Sequence, residues 1–169
     1  EPSALGPVDL VLFAVKLWDT ESAASAIKPL VDNGAHVVPF QNGVESIDRV
    51  SAVVGTDRVM GGVAYIAATI AEPGVIRHTA MDHLIFGELD GSRSARLQQL
   101  LDACQPAGFQ ATMSDHINVD IWTKFVRLSV FSGMTAITRC PIGPIVDDTD
   151  LLAMAEAALH ESIAVARCK

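Results

Sequence analysis

Apolar residues in the first part of the chain alternate between continuous runs and helical spacing. The run VDLVLFAV at residues 8–15 predicts a strand that is covered on both faces. Apolar residues from Glu21 to Val31 recur at helical spacing, with Thr20 as the predicted N-cap and Asn33-Gly34 as the stop. Another buried strand is predicted over His36–Phe40. Strand, helix and strand with short connections form a βαβ unit, which builds a parallel sheet with a right-handed crossover.

The pattern changes after this unit. Beyond a short helix at 44–54 and an apolar stretch at 59–68, the turn Glu72-Pro73-Gly74 separates strand-like runs. The runs GVIRHT (74–79) and HLIFGE (83–88) show the partial alternation expected of exposed antiparallel strands. An amphipathic helix at 94–107, which Gly108 ends, and a short strand at 109–113 complete this part.

Strand signals cease at Ser114. Ser114 and Asp115 resemble a helix start, and apolar residues then recur at helical spacing until Pro141, Gly143 and Pro144 interrupt them. The acids at 147–150 precede a further helix at 151–167, where they complement the helix dipole and cap it. The predicted fold is α/β: a parallel sheet with an antiparallel extension (residues 1–114), followed by an all-helical part (residues 115–169).

Composition excludes several classes of function. Half of the residues are apolar and 19% are charged, which is enough for a core. The net charge of −8, with no cluster of Lys or Arg, argues against a nucleic-acid surface. No apolar run reaches the length of a membrane span. The cysteines Cys104, Cys140 and Cys168 are scattered, so neither a disulfide framework nor a zinc site is predicted, and a cytoplasmic location fits best.

Two polar residues follow the two predicted parallel strands. Ligands of open parallel sheets bind beyond the carboxyl ends of the strands, and Lys16 and Asn42 both fall there. A lysine can reach a phosphate or carboxylate, and an amide can donate and accept hydrogen bonds. Taken singly, Lys16 could be solvated and Asn42 could serve only the QNG turn. Their matched positions favour a ligand site.

The helical part offers a second candidate. Trp122 and Lys124 form a W-x-K pattern, and Lys124, Leu128 and Ser132 share one helix face at spacings of four residues. A lysine beside an apolar stripe usually extends its ammonium into water. If Lys124 instead points into a cleft, desolvation would lower its pKa toward that of a useful proton donor. His78 and His83 have no carboxylate partner at metal-site spacing and are predicted to be structural, so no metal is expected.

The ordered set DLVLFAVK, PFQNGV, GVIRHT with LIFGE, IWTKF and TAITRCPIG resembles the ketopantoate reductase (2-dehydropantoate 2-reductase) family of pantothenate biosynthesis. The resemblance implies NADPH-dependent reduction of a 2-oxo acid to the 2-hydroxy acid in a cleft between two domains. Residues 1–114 would be the second half of a Rossmann-type NADP-binding domain, and residues 115–169 the start of a helical substrate domain. It implies Lys124 as general acid, Lys16, Gln41, Asn42 and Gly43 as cofactor-binding residues, and Asn42, Lys124 and Ser132 as substrate contacts. A homodimer is a further expectation of the resemblance.

The chain departs from the family pattern in two respects. Leu128 and Ser132 stand where the family usually has asparagines, which leaves the identity of the 2-oxo acid open. The glycine-rich dinucleotide turn and a later helical segment do not occur here, so we expect a piece of a longer enzyme that binds NADPH poorly alone. The alternatives are a non-catalytic oligomerisation fragment and a hydroxyacid dehydrogenase of a related Rossmann family.

Overall fold

Residues 2–169 are described by a computed structural model of mixed α/β architecture. Its strands and helices, in chain order, are β1 (Leu10–Phe13), α1 (Thr20–Asp32), β2 (His36–Pro39), α2 (Ser46–Val54), β3 (Gly61–Glu72), β4 (Val75–Gly87), α3 (Ala95–Cys104), β5 (Gln110–Met113), α4 (Ile117–Thr138), α5 (Ile142–Asp147) and α6 (Thr149–Arg167). The chain divides into a first unit, Glu1–Ile121, and a second unit, Trp122–Lys169. Within residues 2–169, no helix has the length and hydropathy needed to cross a membrane.

The predicted βαβ unit is confirmed. Strands β1 and β2 pair in parallel from Leu10–His36 to Phe13–Pro39, and α1 connects them. One core cluster joins Phe13 to buried residues of α1, β2 and α2, namely Ala24, Ile27, Val31, Val37, Val50 and Val54. Burial of such side chains contributes about 1.5–3 kcal/mol each, so this cluster fixes the α1 and α2 helices against the strands.

The prediction that the first strand is covered on both faces is wrong. Strand β1 spans four residues, and Leu12 on it is 59% exposed. Among the described residues, β1 pairs only with β2, and the apolar cluster covers the face that carries Phe13. The continuous apolar run therefore overstated the burial of this strand.

The chain continues from the βαβ unit into a three-stranded sheet. Val37 and Val59 form a parallel bridge, so β3 runs in the direction of β2. Strand β4 is antiparallel to β3 and parallel to β5. The runs at 74–79 and 83–88 were predicted as two strands, but both lie in β4. Met81 has a φ of 57°, and the β3–β4 register shifts beside it, which explains the broken alternation.

Two glycines seat the start of α4 against this sheet. A Cβ built on Gly61 would lie 2.6 Å from Cγ1 of Ile117, and a Cβ on Gly87 would lie 3.1 Å from its Cβ. Ile117 is 1% exposed. Only glycine therefore allows the first turn of α4 to approach β3 and β4 this closely.

The second unit is helical, as predicted. Val130, Met134 and Ile145 form its core, and residues of α6 pack around them. Pro141, Gly143 and Pro144 were predicted to interrupt the helical pattern, and an interruption is present. Helix α4 ends at Thr138, and the short helix α5 begins at Ile142 with Pro141 as its N-cap and Pro144 in its first turn. Proline is tolerated in the first turn of a helix, where its missing N–H has no partner to lose. The prediction that the acids at 147–150 cap a helix is confirmed, because Asp148 Oδ1 accepts hydrogen bonds from the N–H groups of Asp150 and Leu151.

Candidate functional site

Lys16 and Asn42 lie at the same edge of the parallel sheet. Phe13 pairs with Pro39, and the Phe40 N–H donates to the Phe13 carbonyl oxygen at 2.8 Å. Lys16 and Asn42 each follow the last residue of the strand pair by three positions, and both are exposed. The predicted juxtaposition of these two positions at the carboxyl edge is therefore present in the first unit.

A side-chain hydrogen bond ties the two strand ends together. The Gln41 Nε2 atom donates to the Val15 carbonyl oxygen at 2.8 Å and to Thr20 Oγ1 at 2.9 Å. Thr20 was predicted as the N-cap of α1, but Asp19 holds that position and Thr20 is the first helical residue. The Thr20 hydroxyl donates to the Leu17 carbonyl oxygen at 2.8 Å, and the side chain is fully buried.

Gly43 has a conformation that only glycine adopts easily. Its φ is 101°, and a Cβ built on it would lie 3.3 Å from Cδ1 of Leu17. The turn that carries Asn42 therefore lies close to the Leu17 side chain, and a residue with a Cβ at position 43 would have a strained backbone and would press on Leu17.

Lys124 lies in the second unit on α4, where its side chain is half-buried. Burial lowers the pKa of the Lys124 ammonium, and the positive charge of Arg127 lowers this pKa further. The ring of Trp122 contacts Phe125 edge-on, with 5.7 Å between the ring centroids. A lysine with a lowered pKa gives up a proton more easily, which suits a general acid. Leu128 is half-buried and Ser132 is exposed on the same helix.

One buried ion pair was not predicted from the sequence. Glu88 is 5% exposed and receives hydrogen bonds from Arg96 Nε at 2.6 Å, Arg96 Nη2 at 2.5 Å and Ser94 Oγ at 2.5 Å. Burial alone would raise the pKa of the Glu88 carboxyl, but the hydrogen bonds from Arg96 and Ser94 outweigh burial, and the pKa is lowered. The only sequence signal was a lone carboxylate directly after a buried strand.

This ion pair lines a cavity of about 350 Å³ with Thr56, Asp57, Asp90 and Ser92. The cavity lies away from Lys16 and Asn42, because β4 is antiparallel to β3 and Glu88 follows the end of β4 beside the start of β3. Its polar groups are largely satisfied by one another: Arg96 Nη1 also donates to the Asp57 carbonyl oxygen at 2.8 Å. The ion pair therefore has a structural role.

The two histidines also have structural contacts. His78 Nε2 is hydrogen-bonded to the Met81 carbonyl oxygen at 2.7 Å, and His83 Nε2 to Thr112 Oγ1 at 2.8 Å. Across the described part of the chain, no group of three or more His, Cys, Asp or Glu side chains is placed to hold a metal ion. The predicted site residues thus fall into two groups, with Lys16, Gln41, Asn42 and Gly43 in the first unit and Lys124 and Ser132 in the second.

A parallel βαβ unit with polar residues at its carboxyl edge is the arrangement in which Rossmann-type α/β proteins bind their ligands. The model of the ketopantoate reductase PanE/ApbA family matches residues 1–91, and the model of the family's C-terminal part matches residues 116–169. The chain belongs to the ketopantoate reductase family. This family consists of NAD(P)-dependent oxidoreductases.

Individual relatives agree with this assignment. A 2-dehydropantoate 2-reductase of Mesorhizobium japonicum is 31% identical over 181 aligned residues, which cover 95% of this chain and 56% of the relative. A ketopantoate reductase structure from Ralstonia eutropha is 33% identical, with a TM-score of 0.85 over 99% of this chain and 54% of that one. A 2-dehydropantoate 2-reductase from Geobacter metallireducens is 28% identical, with a TM-score of 0.88 over 98% and 55%. The chain therefore spans about half the length of these relatives.

Proposed function

We propose that the whole protein reduces the ketone of a small 2-oxo acid to the 2-hydroxy acid, with NADPH as the reductant. The proposal is supported by the family match in both units and by the names of the relatives, which are 2-dehydropantoate 2-reductases. A ketopantoate-like acid, with a carboxylate beside the ketone, is the substrate class that these names favour.

The observation that carries the proposal is the half-buried Lys124 ammonium with its lowered pKa. Reduction of a ketone generates negative charge on the carbonyl oxygen. An ammonium beside that oxygen stabilises the charge and neutralises it by donating a proton. In this proposal Lys124 is the catalytic residue and donates its Nζ proton to the substrate oxygen.

The carboxyl edge of the parallel sheet is the proposed dinucleotide site. Exposed Lys16 and Asn42 offer a cation and an amide there, and Gly43 gives the turn that carries Asn42 its positive φ. These groups fit a nicotinamide dinucleotide, which supplies a hydride when bound. Lys16 would attract a phosphate, Asn42 would orient the ring or the substrate, and the Gln41-Asn42-Gly43 turn would form the floor of the site.

The substrate side of the proposal rests on α4. Ser132 shares a helix face with Lys124 two turns away, and its exposed hydroxyl can hydrogen-bond to a carboxylate or hydroxyl of the substrate. Leu128, one turn from Lys124, offers only apolar contact. The substrate pocket is therefore expected to accept a more apolar side chain than a pocket lined with asparagines.

Other features of the whole protein belong to the same proposal. We place the protein in the cytoplasm because its cysteines are scattered and its three thiols are free. Its partners would be a small 2-oxo acid and a second copy in a homodimer. The 169-residue chain alone is expected to bind NADPH poorly.

The experiment is a screen of the whole protein against a panel of 2-oxo acids, with nicotinamide absorbance as the readout. Ketopantoate, 2-oxoisovalerate and pyruvate would each be tested with NADPH and with NADH. We expect substrate-dependent oxidation of NADPH with at least one branched 2-oxo acid, and slower oxidation of NADH. The absence of turnover with every acid, in a protein that binds NADPH, would overturn the proposed function.

A further inference from the structure

We infer that Gln41 is a positioning residue whose side chain, together with Thr20, holds the backbone on both sides of Lys16 in place relative to Asn42. This inference deepens the proposed function and rests on it. It assigns to the Gln41 side chain a structural role within the protein. This role is additional to the cofactor contact that the family resemblance implies for the Gln41-Asn42-Gly43 turn.

The orientation of the Gln41 carboxamide follows from its partners. The Val15 carbonyl oxygen can only accept a hydrogen bond, so the group 2.8 Å from it must be the amide nitrogen. The Thr20 hydroxyl donates its hydrogen to the Leu17 carbonyl oxygen and therefore accepts from the same nitrogen. Both N–H groups of the carboxamide are thus used within the first unit.

These bonds secure the residues before and after Lys16. Val15 precedes Lys16 and is bonded to Gln41 directly, whereas Leu17 follows Lys16 and is bonded through the Thr20 hydroxyl. Thr20 is 0% exposed, so water does not compete for its hydroxyl. Lys16 itself is exposed, has extended backbone (φ −65°, ψ 148°) and is the N-cap of a single 3-10 turn at Leu17–Asp19.

The same bonds fix the turn that carries Asn42. Gln41 is the residue directly before Asn42, and its side chain spans from the end of β2 to the connection between β1 and α1. Gly43, directly after Asn42, has a conformation that favours glycine, and a Cβ built on it would lie 3.3 Å from Cδ1 of Leu17. Asn42 is therefore held on both sides against the segment that contains Lys16.

The chemistry required of position 41 is specific. It needs two N–H donors on one nitrogen at the end of a side chain of this length, which glutamine has and glutamate and methionine lack. Position 20 needs a hydroxyl that donates and accepts at once, which serine provides and valine does not. Gln41→Met and Thr20→Val therefore remove the bonds with little change of size, and Thr20→Ser keeps the hydroxyl.

The test compares these three variants with the wild type in the whole protein. Hydrogen exchange of the backbone amides at 16–21 reports the order of the segment without any dependence on activity. Steady-state kinetics with NADPH and the best 2-oxo acid give kcat and KM. Gln98→Met is the matched control, because its side chain donates a hydrogen bond to Asp102 on the exposed surface of α3.

We expect Gln41→Met and Thr20→Val to speed exchange at 16–21 by about fivefold or more, the effect of losing one hydrogen bond. We expect kcat/KM to fall by about 10- to 100-fold in the same variants, because displaced groups no longer meet the substrate and cofactor in the productive geometry. Thr20→Ser and Gln98→Met should resemble the wild type in both measurements.

Unchanged exchange at 16–21 in Gln41→Met would overturn the inference. Faster exchange with unchanged kcat/KM would overturn the positioning role, since the segment would then be loosened without effect on the site. If Gln41→Met fails to fold, the inference is tested by the exchange rates and kcat/KM of Thr20→Val compared with those of Thr20→Ser. Failure of the wild type to reduce any 2-oxo acid would refute the proposed function but not the Gln41 contacts, because hydrogen exchange measures the effect of those contacts without any turnover.

Discussion

Phe13 and Pro39 are paired directly in the parallel register of β1 and β2. Because the two strands run in the same direction, their carboxyl ends lie at the same edge of the sheet. The residues that follow the strands therefore emerge at that edge. Lys16 and Asn42 each lie three positions beyond this pair. The register therefore explains how two residues separated by a whole helix in the sequence become neighbours at a candidate ligand site.

The first prediction concerns Gly43. Gly43→Ala should destabilise the protein by about 1–2 kcal/mol, because its φ of 101° is unfavourable for a residue with a Cβ and the new Cβ would crowd Leu17. Gly133→Ala is the matched control, since it lies within α4 with no atom within 4 Å of the built Cβ. Alanine should stabilise that helix by about 1 kcal/mol. Urea unfolding midpoints of the two variants should move in opposite directions, and equal shifts would contradict the account.

The second prediction concerns the buried ion pair. Glu88→Gln should reduce the free energy of unfolding by about 3 kcal/mol, because it leaves the Arg96 guanidinium without its carboxylate partner. Asp32→Asn is the control, since its pair with Lys28 is exposed and contributes less than about 0.5 kcal/mol. Chemical denaturation near pH 7 measures both values. A loss for Glu88→Gln no larger than that for Asp32→Asn would show that the pair is not structural.

The third prediction follows from the lowered pKa of Glu88. A carboxyl whose pKa is lower in the folded state stabilises the fold above its unfolded pKa, and this contribution is lost as the pH falls through the folded value. The usual value is 4.5, so the wild type should lose its advantage over Glu88→Gln only below that pH. Unfolding free energies of the two proteins between pH 7 and pH 3 should converge at the acidic end. A constant difference across this range would contradict the shift.

The fourth prediction concerns Arg127 and the proposed acid. Only protonated Lys124 can donate a proton, so kcat should fall as the pH rises through a pKa below the usual lysine value of 10.5. Burial is the larger cause of the lowered pKa and the charge of Arg127 is the smaller one. Arg127→Gln should therefore move the alkaline limb of the pH–kcat profile to higher pH. The control is Arg167→Gln, near the end of α6, which should leave the alkaline limb in place. An alkaline limb that moved equally in both variants would contradict an effect of the Arg127 charge on the pKa of Lys124.

Much of the fold could be predicted from the sequence because its signals are local. Such signals depend on neighbouring residues only. They include the apolar spacing of α1, α3 and α6, the helix stops at Asn33-Gly34 and Gly108, and the helix cap at Asp148. The carboxyl-edge placement of Lys16 and Asn42 also followed, since consecutive parallel strands with a helix between them share that edge.

The remaining features depend on contacts between residues distant in sequence. The two runs that form β4 appeared separate because the positive φ at Met81 interrupts their alternation within one strand. The Gln41 side chain bonds to Val15, 26 positions earlier, and no local pattern distinguishes such a glutamine from one in a simple turn. The exposure of Leu12 depends on which neighbours cover β1, which an apolar run cannot show.

The central claim is that Lys124 is the general acid of a 2-oxo-acid reductase, and one comparison tests it most directly. Lys124→Ala in the whole protein should lower kcat by about 10²- to 10⁴-fold, the contribution of a positioned general acid. NADPH affinity, measured by nicotinamide fluorescence, and the unfolding midpoint should stay close to those of the wild type. A variant that still reduces the 2-oxo acid at the wild-type rate would contradict the claim.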